Sequence, residues 1–218
     1  MPHLVITGAS AGIGAATAEL FQKHGFDIVN LSRRPCPVAG VTNITCDLSQ
    51  PDFIAAIQND LNHAIKGGKQ ITLIHNAAVL INDNIASTDS EQLRRVFEIN
   101  IVTASTLNQF MIPHMQASSS ILYVGSTLGE KAVPNSFSYA TSKHAVIGMM
   151  RATCQDLAGT GVHTACINPG FTNTEMLREH VPADVMPQIA AMSAFDRLIE
   201  PAEIASALLF AAQIEHKY

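Results

Sequence analysis

Charge is scarce in this sequence. Asp, Glu, Lys and Arg together make up 14% of 218 residues, against roughly a quarter in an average soluble protein. No run of basic residues occurs, and the net charge is −5. The electrostatic footprint that draws a protein to nucleic acid or to an anionic membrane is therefore missing. Cysteine is limited to Cys36, Cys46, Cys154 and Cys166, and no two stand at C-x-x-C spacing, which argues against a zinc site; no metal ligand set is expected. Cys46 and Cys166 fall in apolar runs with strand character, so free buried thiols are expected rather than disulfides or nucleophiles. Reduced thiols suit a cytoplasmic setting. No stretch of 18 apolar residues exists, so no membrane span is predicted. The opening residues Met1-Pro2-His3-Leu4-Val5-Ile6 lack the basic region and long apolar core of a signal peptide. Internal repeats, low-complexity tracts and linkers are also absent.

What is present is apolar: 47% of the chain is hydrophobic, enough to bury one sizeable core, and the length suits a single domain spanning residues 1–218. Short β-branched runs alternate with segments of helical periodicity. Strands are predicted at His3–Thr7, Asp27–Leu31, Thr42–Cys46, Ile71–His75, Ile121–Val124 and Val162–Ile167. A helix begins near Ile13, with Ala16, Leu20 and Phe21 on one face, and Gly25 stops it. Pro51 to Lys66 reads as a second helix, ended by Gly67-Gly68. Ser87 to Met115 reads as mostly helical, with caps available from Ser87, Thr88 and Asp89. Phe137 to Leu157 is a long helix rich in Ala and Met, and Glu200-Pro201-Ala202-Glu203 opens a last one running to about Gln213. Such alternation is the signature of an α/β fold: a doubly wound parallel sheet of six or seven strands with helices on both faces.

The turn between the first strand and first helix is Thr7-Gly8-Ala9-Ser10-Ala11-Gly12-Ile13-Gly14. Glycines here permit a tight turn, close approach of backbone to a pyrophosphate, and close helix–strand packing. The helix N-terminus then offers free N–H groups and a positive dipole end to the anion. The second strand ends Asn30-Leu31-Ser32-Arg33-Arg34. NAD-binding sheets usually place a carboxylate there for the ribose hydroxyls; two arginines instead favour a 2′-phosphate, which a guanidinium binds well. In the long helix, Tyr139 and Lys143 stand at i and i+4 and share a face. A lysine so placed can lower the pKa of the tyrosine and prepare it for proton transfer. Ser126 closes the fifth strand, thirteen positions before Tyr139, at the sheet edge where open α/β folds bind ligands.

The glycine spacing, Ser126, Tyr139-x-x-x-Lys143 and their order make the chain resemble the short-chain dehydrogenase/reductase family, in its short form of about 250 residues. The resemblance runs from residue 4 to about 212 and implies a Rossmann-type fold. Residue by residue it implies a cofactor site at Gly8, Ser10, Gly12, Ile13 and Gly14, with Ser32 at the acidic position and Arg33 and Arg34 beside it. Asp47 would meet the adenine amino group and Leu48 would flank it. Asn76 and Ala77 come from His75-Asn76-Ala77-Ala78, where the family usually has Asn-Asn-Ala-Gly. Pro169, Gly170, Thr172 and Thr174 would hold the nicotinamide carboxamide, and Tyr139 and Lys143 its ribose. Asn100, Ser126, Tyr139 and Lys143 match the catalytic tetrad.

The function so implied is an NADP(H)-dependent oxidoreductase that interconverts a carbonyl and an alcohol. Its substrate would be small and apolar, bounded by Ser126, Leu128, Phe137, Phe171 and Met176 under a lid from Phe171 to Arg197. The resemblance also implies a homodimer or homotetramer. The sequence stops at Glu215-His216-Lys217-Tyr218, where family members continue into a seventh strand, so the expectation is either that this strand is missing or that the sequence is incomplete there. A non-catalytic NADP(H)-binding or redox-sensing protein is the alternative, although it would have no need of the full tetrad. An extended-family epimerase or dehydratase would need a larger substrate domain than this length supplies.

Overall fold

The computed structural model describes residues 1–68 and 70–213. Its six strands are β1 (His3–Thr7), β2 (Asp27–Ser32), β3 (Thr42–Thr45), β4 (Ile71–His75), β5 (Ser120–Val124) and β6 (His163–Ile167). Its α-helices are α1 (Gly12–Lys23), α2 (Phe53–Ala64), α3 (Ser90–Phe97), α4 (Thr103–Met111), α5 (Phe137–Asp156), α6 (Glu175–His180), α7 (Met186–Ala190) and α8 (Pro201–Ala212). The strands form one parallel sheet in the order β3-β2-β1-β4-β5-β6. Parallel neighbours cannot be joined by tight turns, so most of the connections carry helices that cover the sheet faces.

Every residue of β1, β4 and β5 is buried, which is why these strands read as continuous apolar runs. Side chains alternate between faces. Val5, Leu73, Ile121 and Tyr123 pack on one side against Phe53, Ile57 and Leu61 of α2, Leu107 and Met111 of α4, and Val146 of α5. Leu4, Ile6, Ile74 and Leu122 pack on the other against Phe21 of α1 and Ile204 and Leu208 of α8. Each large aliphatic side chain buried this way contributes about 1.5–3 kcal/mol. From β1 the chain runs outward through β2 and β3, then returns to β4, β5 and β6 on the other side. The reversal between β1 and β4 opens a crevice at their carboxyl ends.

The observed elements depart from the sequence expectation in instructive places. The helix expected over Ser87–Met115 is interrupted by a π-turn, Glu98–Val102, which separates α3 from α4. It starts at Ser90, where Asp89 accepts a hydrogen bond from Glu91 N–H. Two short helices, α6 and α7, interrupt the segment after β6. Of the cysteines, Cys36 and Cys46 are buried, but Cys166 is only partly buried and Cys154 is exposed; all four are free. The expected absence of a strand around Glu215–Tyr218 concerns residues outside those described. Among the described residues, no helix is long and apolar enough to cross a membrane, and no group of three or more His, Cys, Asp or Glu side chains could hold a metal ion.

Candidate active site

The glycine turn after β1 is held from two flanks. Thr7 Oγ1 accepts from the backbone N–H groups of Asn76 and Ala77, each at 3.0 Å. The Asn76 amide donates to the carbonyls of Thr7 and Gly8, both at 3.0 Å. From the other flank, Asn30 Oδ1 accepts from Ala9 N–H at 2.9 Å. Gly8 and Gly12 adopt positive φ, 73° and 53°, a conformation that glycine takes without steric cost. A Cβ at Gly14 would lie 2.3 Å from the Gly8 carbonyl oxygen and 2.6 Å from Asn76 Nδ2. The N-cap of α1 is Ala11, which brings no capping side chain to the first-turn N–H groups. A pyrophosphate fits such a cradle by charge and by shape. Ser10 and Ile13 are half-buried in its rim.

The Asn76 amide is thus committed to shaping the turn. Asn30 went unrecognised in the sequence. Its signal was a lone amide inside the apolar strand β2, where burial demands partners; it also donates to Asn43 Oδ1 at 2.9 Å.

At the end of β2, Ser32 is half-buried and Arg33 and Arg34 are exposed. Asp47 is exposed beyond β3, and hydrogen bonds from Ser49 N–H and Oγ hold its carboxyl below the usual range, with Arg33 adding a smaller pull. Leu48 is buried in the core beneath it. Arg34 Nη2 donates to Glu175 Oε2 of α6 at 3.2 Å.

The catalytic candidates converge at the ends of β5 and α5. Ser126 follows β5, and its Oγ accepts from Leu128 N–H at 3.0 Å. Tyr139 is 8% exposed; burial pushes its hydroxyl up to about 12, opposed in part by a hydrogen bond with Ser126. Lys143 is buried and donates to the Val124 carbonyl at 2.8 Å. Burial pulls its ammonium down to about 8. Its Nζ lies 5.5 Å from the Tyr139 ring centre. The sequence expectation that Lys143 lowers the tyrosine's pKa is therefore not met in the free chain: desolvation dominates the hydroxyl, and the ammonium is turned to a carbonyl.

Asn100 sits in the π-turn and its side chain is fully engaged. Its Oδ1 accepts from Val79 N–H at 2.8 Å, and its Nδ2 donates to the Val79 carbonyl and to Ser142 Oγ. Inserting a residue into the helix rotates Asn100 inward, a common arrangement at functional sites. Next to Lys143 and Asn100 lies a small enclosed space of about 10 Å³, whose polar lining includes Thr7, His75, Thr103 and Tyr123, enough for a single water. Asp83 was a second omission of the sequence reading. It is buried, accepts from Ser138 N–H at 3.0 Å and from Thr88 Oγ1 at 2.9 Å, and so caps the α5 turn that carries Tyr139.

The segment after β6 completes the cleft. Gly125 N–H donates to the Ile167 carbonyl and Thr127 N–H to that of Pro169, extending the β5–β6 ladder to bring Pro169 and Gly170 beside the serine turn. Thr172 is buried and pairs with Ile199. Thr174 caps α6 through Leu177 N–H at 3.3 Å, and its Cγ2 would lie 3.2 Å from a Cβ at Gly12, so this segment rests on the glycine turn. At the far end of α6, His180 Nδ1 and Nε2 face the carbonyls of Met176 and Leu80 at 2.8 and 2.9 Å. Met176 is half-buried, while Phe171 is exposed. Leu128, two residues after the serine, is half-buried. Phe137 lines a different hollow, about 460 Å³ in volume, with Asp83, Val133, Ala140, Thr141 and His144, on a face of α5 adjacent to that of Tyr139 and Lys143.

This arrangement has known counterparts. Residues 2–184 match the model of the short chain dehydrogenase family. Short chain aldehyde dehydrogenase 1 of Euphorbia lathyris is 31% identical, covering 98% of this chain and 82% of its own length. Cis-4-hydroxycyclohexanecarboxylate dehydrogenase of Sinomonas cyclohexanicum is 30% identical over 95% of this chain and 88% of its own. The ligand-free structure of Thermoplasma acidophilum aldohexose dehydrogenase superposes with a TM-score of 0.88 at 28% identity, covering 97% of this chain and 86% of that one. With a family match over most of its length, the same sheet, and a glycine turn facing a serine, a tyrosine and a lysine, the chain belongs to the short-chain dehydrogenases, a family of oxidoreductases.

Proposed function

We propose that this chain is an NADP(H)-dependent oxidoreductase that interconverts a small apolar carbonyl compound and its alcohol. The observation that carries the reading is the meeting of Ser126, Tyr139 and Lys143 at the edge of the glycine-lined cleft. The cradle from Gly8 to Gly14 suits the pyrophosphate, Arg33 and Arg34 suit a 2′-phosphate, and Pro169 to Thr174 would hold the carboxamide. When bound, the nicotinamide would supply or accept the hydride. Tyr139 gives its proton to the carbonyl oxygen during reduction and takes it back during oxidation. Ser126 donates a hydrogen bond to the same oxygen. Lys143 holds ribose hydroxyls and brings positive charge toward Tyr139, which favours the phenolate. Because the Asn100 side chain is occupied, its share in a proton path would fall to its main chain and to a water in the adjoining space.

The test is a titration with NADPH and NADH by fluorescence or calorimetry, followed by absorbance at the nicotinamide band with ketones, aldehydes, diketones and 3-oxoacyl thioesters. Tighter NADPH binding with turnover of one class supports the reading and names the substrate. NADPH binding with no turnover points to a cofactor-binding protein without catalysis, and tighter NADH binding overturns the cofactor assignment.

A further inference from the structure

Each arginine at the end of β2 has an acid of its own. Arg33 acts on Asp47, on the β3 side. Arg34 reaches in the opposite sense, to Glu175, the first residue of α6. The two partners of this second pair are 141 residues apart and come from separate walls of the cleft. The wall that carries Glu175 rests on the glycine turn through Thr174 and Gly12. At its other end, α6 is tied to the loop after β4, where His180 meets the Leu80 carbonyl and Asn82 Nδ2 donates to the His180 carbonyl at 3.3 Å. Helix α6 is therefore a strap across the cleft, held at one end by Arg34 and the glycine turn and at the other by the loop after β4.

We propose that Glu175 is a positioning residue for cofactor selectivity: it holds the Arg34 guanidinium across the cleft, and a 2′-phosphate binds by taking that guanidinium from it. The proposal rests on the NADP(H) reading above. A carboxylate and a phosphate monoester compete for the same planar, bidentate donor. NADP(H) must displace Glu175 and frees the first turn of α6 as it does so. NAD(H), with only a ribose hydroxyl at that place, offers Arg34 no anion and leaves the clasp shut. Both side chains are more than half exposed, so the competition is mild, and exposed pairs of this kind change an equilibrium by about 1.5- to 5-fold.

The experiment is a set of NADPH and NADH dissociation constants for the full-length protein, measured for the wild type, Glu175→Gln, Arg34→Gln and the double variant. Glu175→Gln is expected to tighten NADPH about three-fold and to leave NADH unchanged. Arg34→Gln is expected to weaken NADPH about ten-fold or more, in the range found for hydrogen bonds to charged groups. In that background Glu175→Gln should have no further effect. If Glu175→Gln shifts both cofactors by one factor, or still tightens NADPH without Arg34, the carboxylate does not act through the guanidinium and the proposal fails. A strong effect of Arg34→Gln with none from Glu175→Gln overturns the clasp alone. No effect of Arg34→Gln on NADPH overturns both the clasp and the assignment of Arg34 to the phosphate.

Discussion

Tyr139 and Lys143 show how burial sets the starting point for chemistry. Each is shifted toward its neutral form, the hydroxyl up to about 12 and the ammonium down to about 8, because the cleft strips water from both. Tyr139→Phe removes only an oxygen and should abolish turnover while NADPH affinity stays within about two-fold; a Phe variant that keeps substantial activity shows that another group moves the proton. His75 is a buried imidazole whose Nε2 meets Asn108 Oδ1 at 2.7 Å. Asn108 Nδ2 donates to Tyr123 Oη, so Asn108 Oδ1 is an acceptor and His75 Nε2 carries the proton. Burial lowers its pKa from 6.5 to about 4. Below pH 6.5 the unfolded chain takes up a proton that the folded one refuses. Stability present above pH 6.5 is thus lost progressively as pH falls to about 4, by on the order of 3 kcal/mol. His3, also held low by burial, adds in the same direction. Urea midpoints measured across this range should fall with pH in the wild type and fall less in His75→Gln.

Among elements, the glycine turn and α5 make opposite predictions for the same substitution. Gly14→Ala drives a methyl group into the Gly8 carbonyl; strain of this kind costs about 1–3 kcal/mol, and cofactor binding should be lost with it. Gly148 lies on the exposed side of α5 with nothing within 4 Å of an added Cβ. Gly148→Ala should therefore stabilise the protein by about 0.5–1 kcal/mol, read as a rise in the denaturant midpoint. Glycine spacing located the turn in the sequence and an Ala- and Met-rich composition located α5, but neither kind of signal could locate the π-turn. One inserted residue leaves the apolar spacing of Ser87–Met115 nearly intact, and the lone Asn100 was the visible trace. The division of the segment after β6 into α6 and α7 was equally hidden, since its apolar residues carry no regular period. Met192 and Phe195 remain exposed there.

At the scale of the whole molecule, the cofactor cleft is where the two halves of the sheet meet. Its walls come from β1, β2, β4, β5 and the segment after β6. A ligand that bridges them must stabilise the entire fold, by about 2.7 kcal/mol at a hundred times its dissociation constant. NADPH should therefore raise the melting temperature, and more than NADH does at equal concentration. An equal or larger shift with NADH would contradict the reading of Ser32, Arg33 and Arg34. The family relatives named above carry quite different substrates in their names, which fits a scaffold that fixes the reacting groups and leaves the pocket to loops.

The alternation of strands and helices, the glycine turn and the shared face of Tyr139 and Lys143 were legible from apolar period, the conformational freedom of glycine and the i to i+4 geometry of a helix; the place of Ser126, thirteen residues before Tyr139, was legible only through the resemblance to the family. Burial and partnership were not, because they belong to the assembly. Only the folded sheet sets Asn30 and Asn76 on either side of the glycine turn and Asp83 under the first turn of α5. Only it closes Arg34 on Glu175 from far along the chain, and raises the Tyr139 pKa where the helix alone suggested it would be lowered. Local pattern determined which residues this protein has at its cleft; desolvation and contacts between distant segments decided the state in which they are held.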